Sequence, residues 1–229
     1  HKIIYISTAG GALLEYIEGK TLPSIKAIKR TYSVDDYDFK GKRVLIRVDF
    51  NVPLDKDNKI TDDTRIKTAV PTIRKVLADG GSAIIMTHLG RPKGKRIDSM
   101  SLRHIIPYLE KAFARKIIFQ ERCLGDDAKK TASKMKAGDI MVLENLRFNN
   151  GEIYGDDEFA KNLAELGDVY IMNAFGTAHR AHASTYTIAK FFPNDKMLGY
   201  LVESEINNIN KVLHSAQKPF TAILGGAKI

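Results

Sequence analysis

The 229-residue chain has a single cysteine, Cys123, which excludes an internal disulfide. A reducing, cytoplasmic setting is the default for such a chain. No catalytic partner is placed beside Cys123 in the sequence, so it reads as a bystander rather than a nucleophile. No apolar run approaches the roughly 18 residues that a membrane span requires. The opening stretch, His1 to Leu14, carries a lysine, apolar residues and then small residues, as a secretory leader does. Ser7, Thr8, Gly10 and Gly11 interrupt it and the chain does not begin with Met, so a leader is not expected. Internal repeats and low-complexity tracts are also missing. That leaves one large domain, or one domain plus pieces of another. What is present is ordinary for a globular protein, with 44% hydrophobic and 28% charged residues. The net charge of +9 calls for an anionic partner, either nucleic acid or a small phosphorylated metabolite.

Apolar, β-branched runs occur at Ile3–Ile6, Val44–Val48, Ala83–Met86, Ile117–Phe119, Ile140–Leu143, Val169–Met172 and Thr221–Leu224. Several are nearly continuous, as in strands buried on both faces. Segments of helical period lie between them at Ile66–Leu77, Leu102–Phe113, Ala128–Met135, Glu158–Leu166 and Val202–Leu213. This alternation predicts an α/β fold, a Rossmann-like parallel sheet with helices on both faces. Pro71 is expected to kink the first long helix or to mark a later start. Lys20–Lys42, with Pro23, reads as a connection holding at most a short helix or strand.

Polar groups recur directly after the strands. Asp49 and Asn51 follow the first internal run; Thr87, His88 and Arg91 follow the next. Glu144, Asn145 and Arg147 come after Ile140–Leu143, and Asn173, His179, Arg180 and His182 after Val169–Met172. Ligands of open parallel sheets bind beyond the carboxyl ends of the strands. Arginine forks match carboxylate and phosphate oxygens bidentately. Arg91, Arg147 and Arg180 with His88 therefore suit a small, strongly anionic ligand whose hydroxyl Asp49 and Asn51 hold. Taken singly, each arginine reads as a solvated or salt-bridged surface group and His88 as a structural histidine; the recurrence at four strand ends carries the argument. In Thr61–Ile66, Thr61 or Asp62 is a candidate helix cap, and Arg65 taken alone pairs with Asp62 or Asp63. Gly225, Gly226 and Lys228 follow the last apolar run, where adjacent glycines let a backbone approach phosphate, although the pattern is not a Walker A loop.

Five ordered motifs, RVDFNVP, TDDTRI, THLGRPKG, LENLRF and GTAHRAHAS, make the chain resemble phosphoglycerate kinase from about Phe39 to its last residue. The resemblance implies reversible phosphoryl transfer between 1,3-bisphosphoglycerate and ADP, giving 3-phosphoglycerate and ATP. It implies that Asp49, Asn51, Arg65, His88, Arg91, Arg147 and Arg180 contact 3-phosphoglycerate. It further implies that Arg65 and Lys228 stabilise the phosphoryl group in flight, and that Gly225, Gly226 and Lys228 face the nucleotide. The glycine turn at Gly10 and Gly11 would aim backbone N–H groups at an oxyanion. The cofactor of the complete enzyme would be Mg-ATP or Mg-ADP, with most of the nucleotide and metal site absent from these residues.

The opening KIIYISTAGGALLEYIEGKTLP resembles the end of that family rather than its beginning. The expected organisation is a permuted C-terminal segment over 1–28, a 3-phosphoglycerate domain over 29–201, an interdomain helix over 202–216 and the start of a nucleotide domain over 217–229. Ala9 stands where the family usually has glycine, and Asn173 where it usually has aspartate. A non-catalytic substrate-binding fragment or engineered permutant is the alternative reading. A nucleic-acid module is disfavoured because the arginines gather at strand ends and no basic stripe is interleaved with aromatics. No nucleic acid or membrane partner is expected, and a cytoplasmic monomer is. Leu13–Ile17 is expected to form a short helix against the domain, burying Leu14 and Ile17. Ile3–Ile6 is expected to fray or to pair with Thr221–Leu224.

Overall fold

A computed structural model of the chain describes residues 7, 9–28 and 32–215. Its elements are α1 (Gly11–Ile17), α2 (Pro23–Ala27), β1 (Arg43–Val48), α3 (Thr64–Ala78), β2 (Ser82–Met86), α4 (Ile106–Phe113), β3 (Ile118–Gln120), α5 (Asp126–Ser133), β4 (Ile140–Leu143), α6 (Asn150–Tyr154), α7 (Asp157–Ala164), β5 (Val169–Asn173), β6 (Lys196–Leu198) and α8 (Tyr200–Ser215). The six strands form one parallel sheet in the order β3-β4-β2-β1-β5-β6. The expected runs Ile3–Ile6 and Thr221–Leu224, and any pairing between them, lie outside the described residues.

Side chains alternate across the sheet, so a strand that is apolar throughout fills two cores. Leu45, Ile84, Met86, Met141, Leu143, Tyr170 and Met172 enter one core with Ala12, Ala128, Ala132, Ala160, Leu163, Val202 and Ile209 of the helices. Val44, Ile46, Val48, Ala83, Ile85, Val142 and Ile171 enter the other with Ile66, Ile73, Val76, Leu109 and Phe113.

Proline and cap chemistry set the helix bounds. α3 begins at Thr64 and runs through Pro71, so Pro71 does not mark a start. The Asp62 carboxylate accepts from Thr64 N at 2.9 Å, while Asp63 holds the N-cap position. The single helix expected over Leu102–Phe113 is a 3-10 turn, Leu102–Ile105, followed by α4. Pro107 occupies the first turn of α4, where its missing N–H needs no partner. α7 is capped by Asp156, which accepts from Phe159 N at 2.7 Å.

The opening helix forms, but its buried face is not the expected one. Leu14 and Ile17 are 54% and 44% exposed. Ala12 is buried, and Leu13 and Tyr16 pack against the core. Tyr16 also sits edge-on to Phe175 at 6.1 Å and donates to Asn210 Oδ1 on α8 at 3.3 Å. The correction is one of phase: three large apolar residues suggested a stripe, but the close approach is made through the small Ala12 and the aromatic one turn later. Tyr16→Ala is therefore expected to destabilise the chain by about 2 kcal/mol and Leu14→Ala by less than about 0.5 kcal/mol, with deletion of residues 1–20 exceeding both. Urea midpoints measure this, and equal losses for Tyr16→Ala and Leu14→Ala would contradict the packing.

Candidate anion-binding site

β4, β2, β1 and β5 are consecutive neighbours in the sheet, so the four polar loops that follow them emerge side by side. Specific bonds join these loops in pairs. Phe50 N donates to Thr87 Oγ1 at 2.9 Å and Gly90 N to Asn51 Oδ1 at 2.8 Å, tying the loop after β1 to the loop after β2. Asn145 Nδ2 donates to the carbonyls of Leu89 at 2.7 Å and Met100 at 2.9 Å, and Arg147 Nη1 to the Gly90 carbonyl at 3.3 Å. The buried Glu144 accepts from Ser101 Oγ at 2.7 Å and from the backbone N–H groups of Leu102 and Asn145, each at 2.8 Å. The loop after β2 is thereby clamped at both ends by the Glu144–Arg147 turn. Gly90 has φ 65°, in the left-handed region that favours glycine.

Positive charge gathers over this edge. Arg65 Nη1 pairs with Asp49 Oδ2 at 2.9 Å, reaching across from α3 rather than to Asp62 or Asp63. Arg47, fully buried in β1, donates from Nε to Ser184 Oγ at 2.8 Å, from Nη1 to the Val48 carbonyl, and from Nη2 to His88 Nδ1 at 3.3 Å. Burial, with Arg47 and Arg180 nearby, lowers the Arg147 guanidinium to about 10, which leaves it charged at neutral pH. His182 is pushed down to about 3, first by burial and then by Arg147, Arg47 and Arg180. His88 is held well below its ordinary value by burial, then by Arg47, Arg147, His182 and Arg65. Both rings are therefore neutral at pH 7. Arg147 Nε and His182 Nδ1 are buried with no hydrogen-bond partner among the described residues. A buried donor left unpaired costs about 1–3 kcal/mol, and an anion's oxygens would satisfy it.

The sequence model of phosphoglycerate kinase matches residues 34–229. The chain belongs to the phosphoglycerate kinase family. It is 47% identical over 221 residues to a phosphoglycerate kinase of Porphyromonas gingivalis, covering 86% of this chain and 53% of that protein. It is 51% identical over 197 residues to one from Chloroherpeton thalassium, covering 86% of this chain and 49% of the relative. The phosphoglycerate kinase structure from Pyrococcus horikoshii superposes with TM-score 0.78 at 31% identity, over 86% of this chain and 49% of that one. That from Coxiella burnetii superposes with TM-score 0.73 at 37% identity, over 82% and 46%. The chain thus spans about half the length of the relatives it matches.

The described structure gathers Asp49, Asn51, Arg65, His88, Arg147 and Arg180 around adjoining strand ends. Arg91 lies on the same edge, but its side chain is exposed and has no ion pair to the others among the described residues. Gly10 precedes α1 with φ 49°, and a Cβ on Gly11 would lie 3.7 Å from His179 Nε2, so the opening turn abuts the loop after β5. Gly225, Gly226 and Lys228 lie outside the described residues. Among the described residues no group of three His, Cys, Asp or Glu side chains is placed to hold a metal ion. Glu152 has no signal in the sequence; Arg47 and Ser184 stand there only as the first residue of RVDFNVP and the last of GTAHRAHAS, with no role assigned. The signal for Arg47 was present: an arginine inside an otherwise apolar strand run has to be compensated from the layer it faces.

The two neutral rings make stability depend on pH. Below about pH 6.5 the unfolded chain binds protons at His88 and His182 that the folded chain refuses, so stability rises with pH through this range. Each ring contributes a slope of up to about 1.4 kcal/mol per pH unit. The urea midpoint should fall from pH 7 to pH 5, and His182→Gln should flatten that fall. An unchanged slope would mean that His182 takes up its proton in the folded chain as readily as in the unfolded one.

Proposed function

We propose that this chain supplies the 3-phosphoglycerate side of a phosphoglycerate kinase, binding 3-phosphoglycerate or 1,3-bisphosphoglycerate in the arginine-rich crevice at the carboxyl ends of β4, β2, β1 and β5. The observation that carries this reading is the surplus of guanidinium groups there, with the buried Arg147 Nε lacking an acceptor among the described residues. Asp49, Asn51, Arg65, His88, Arg91, Arg147 and Arg180 are the proposed contacts.

The acceptor for phosphoryl transfer is then the carboxylate of 3-phosphoglycerate, already ionised at neutral pH, so no general base is required. The protein's work is to bring two anions together and to cover charge on the transferring group. Arg65 serves both needs: Asp49 holds Nη1 over the edge at 2.9 Å, while no partner for Nη2 is present among the described residues. Gly10 and Gly11 would turn backbone N–H groups toward the same region, and Lys228 would add a second cation. Gly225, Gly226 and Lys228 would face the nucleotide, and the Mg-nucleotide, when bound, supplies the phosphoryl group and the metal's charge. Residues 1–28 correspond to a permuted C-terminal segment, 29–201 to the substrate domain, 202–216 to an interdomain helix and 217–229 to the start of the nucleotide domain. A cytoplasmic monomer fits the buried, unpaired Cys123, whose thiol burial pushes up to about 12.

The share of the relatives covered, about half, favours binding without turnover for these 229 residues alone. Titration calorimetry should detect 3-phosphoglycerate binding, weakened by about 1.5–3 kcal/mol in Arg147→Ala and in Arg180→Ala. A coupled assay with ATP should stay at background. Parent-like affinity in both variants would place the site elsewhere, and turnover of the order of ~1 s⁻¹ would refute the binding-only reading.

A further inference from the structure

Arg47 is an arginine at a fully buried position of a central strand. It shares a face with Leu45, which points into the core packed by α7 and residues 183–192. A buried guanidinium is tolerated only when its N–H groups find acceptors. The Nε acceptor is Ser184 Oγ at 2.8 Å. Ser184 is itself fully buried, and its hydroxyl has one proton to give. That proton goes to Glu152 Oε1 at 2.7 Å, while Ser184 N donates to Glu152 Oε2 at 2.9 Å. Glu152 is also fully buried, on α6, and its own carbonyl accepts from Ala183 N at 2.9 Å. The Ser184 carbonyl takes the Tyr170 hydroxyl at 2.8 Å, so the serine is held from both ends.

The polarity of this chain of bonds is fixed by chemistry. Because the serine proton is committed to the carboxylate, the oxygen's lone pairs face Arg47 Nε–H. A guanidinium has five donors and no acceptor. The contact from Arg47 Nη2 to His88 Nδ1, 3.3 Å, therefore requires that Nδ1 carry a lone pair. In a neutral imidazole the single proton must then sit on Nε2, which has no hydrogen-bond partner among the described residues.

We propose that Glu152 and Ser184 are positioning residues of the phosphoglycerate kinase site: through Arg47 they lock His88 in its Nε2–H tautomer, so that it presents a neutral donor to the anionic substrate. This rests on the assignment of His88 to the 3-phosphoglycerate site, but the tautomer itself does not. The arrangement matters because an imidazole in the other tautomer would offer a lone pair to an anion. His88 would then repel the ligand while every cation around it stayed in place. Glu152 lies beneath the crevice and need not touch the ligand for its loss to reach the site.

The test is nitrogen-15 NMR of the imidazoles in the 229-residue chain without ligand, with His88→Gln identifying the His88 signals. The parent should show Nδ1 as the unprotonated nitrogen, and Arg47 Nε–H should exchange slowly with solvent. A parent with Nδ1 protonated, or an Arg47 Nε–H exchanging like that of an exposed arginine, overturns the proposal with no variant needed. In Ser184→Ala and Glu152→Gln the His88 signals should move toward a mixture of tautomers, and 3-phosphoglycerate affinity should fall about tenfold. Loss of stability with an unmoved tautomer would mean a purely structural role and would overturn the relay. If the parent does not bind 3-phosphoglycerate, the functional assignment fails on its own while the tautomer measurement still decides the relay.

Discussion

Arg47, Arg65, Arg147 and Arg180 gather at one end of a β-sheet, close enough that Arg47 and Arg180 lower the proton affinity of Arg147 and that all four bear on the neighbouring imidazoles. Such a concentration of one sign opposes its own formation, and much of the local structure is the means of holding it. Carboxylates are supplied from behind or beside rather than from the front. Asp49 takes Arg65, and Glu152 reaches Arg47 only through Ser184. Backbone carbonyls at Val48 and Gly90 accept one N–H each from Arg47 and Arg147 without cancelling charge. The result is a crevice that stays positive because its counter-charges are few and mostly withdrawn beneath it. The histidines stay neutral first because they are buried and then because a proton on either would worsen the repulsion already present.

The parallel sheet makes this arrangement possible by ending four neighbouring strands at one edge. It does not by itself fix the loops that follow. Glu144 and Asn145 do that for the loop after β2, since Asn145 closes on Leu89 at its near end and the two together close on Met100, Ser101 and Leu102 at its far end. The loop therefore behaves as part of the scaffold although it has little regular structure of its own. Much of its backbone hydrogen bonding is met by a turn from the adjacent strand.

The strand ends were readable because the runs Val44–Val48, Ala83–Met86, Ile140–Leu143 and Val169–Met172 are buried on both faces and announce themselves by continuous apolarity. β6 was not: Lys196–Leu198 is three residues at a sheet edge, opened by a lysine, too short for any period to register. α6 was hidden by its Asn-Gly opening, which reads as a turn. Site residues emerging just beyond strands were legible from their position alone. Arg47 is inconspicuous because a single cation within the apolar run Val44–Val48 reads as an interruption of it. The fact that decides its role, a serine 137 residues away standing between it and a carboxylate, is tertiary. Leu14 and Ile17 were overvalued for the converse reason, since side-chain size was read as depth.

α1 has seven residues, too few for a helix to persist alone in water, where nucleation is costly and roughly 12–15 residues are marginal. Its helical state therefore exists only while its support does, and that support is Phe175 beneath Tyr16, His179 beside Gly11, and Asn210 on α8. Two of those three belong to the loop that carries Arg180. Folding of the first helix is in this way a passive gauge of the loop after β5: amide protection at residues 12–17 reports, from outside the crevice, whether one wall of it is in place.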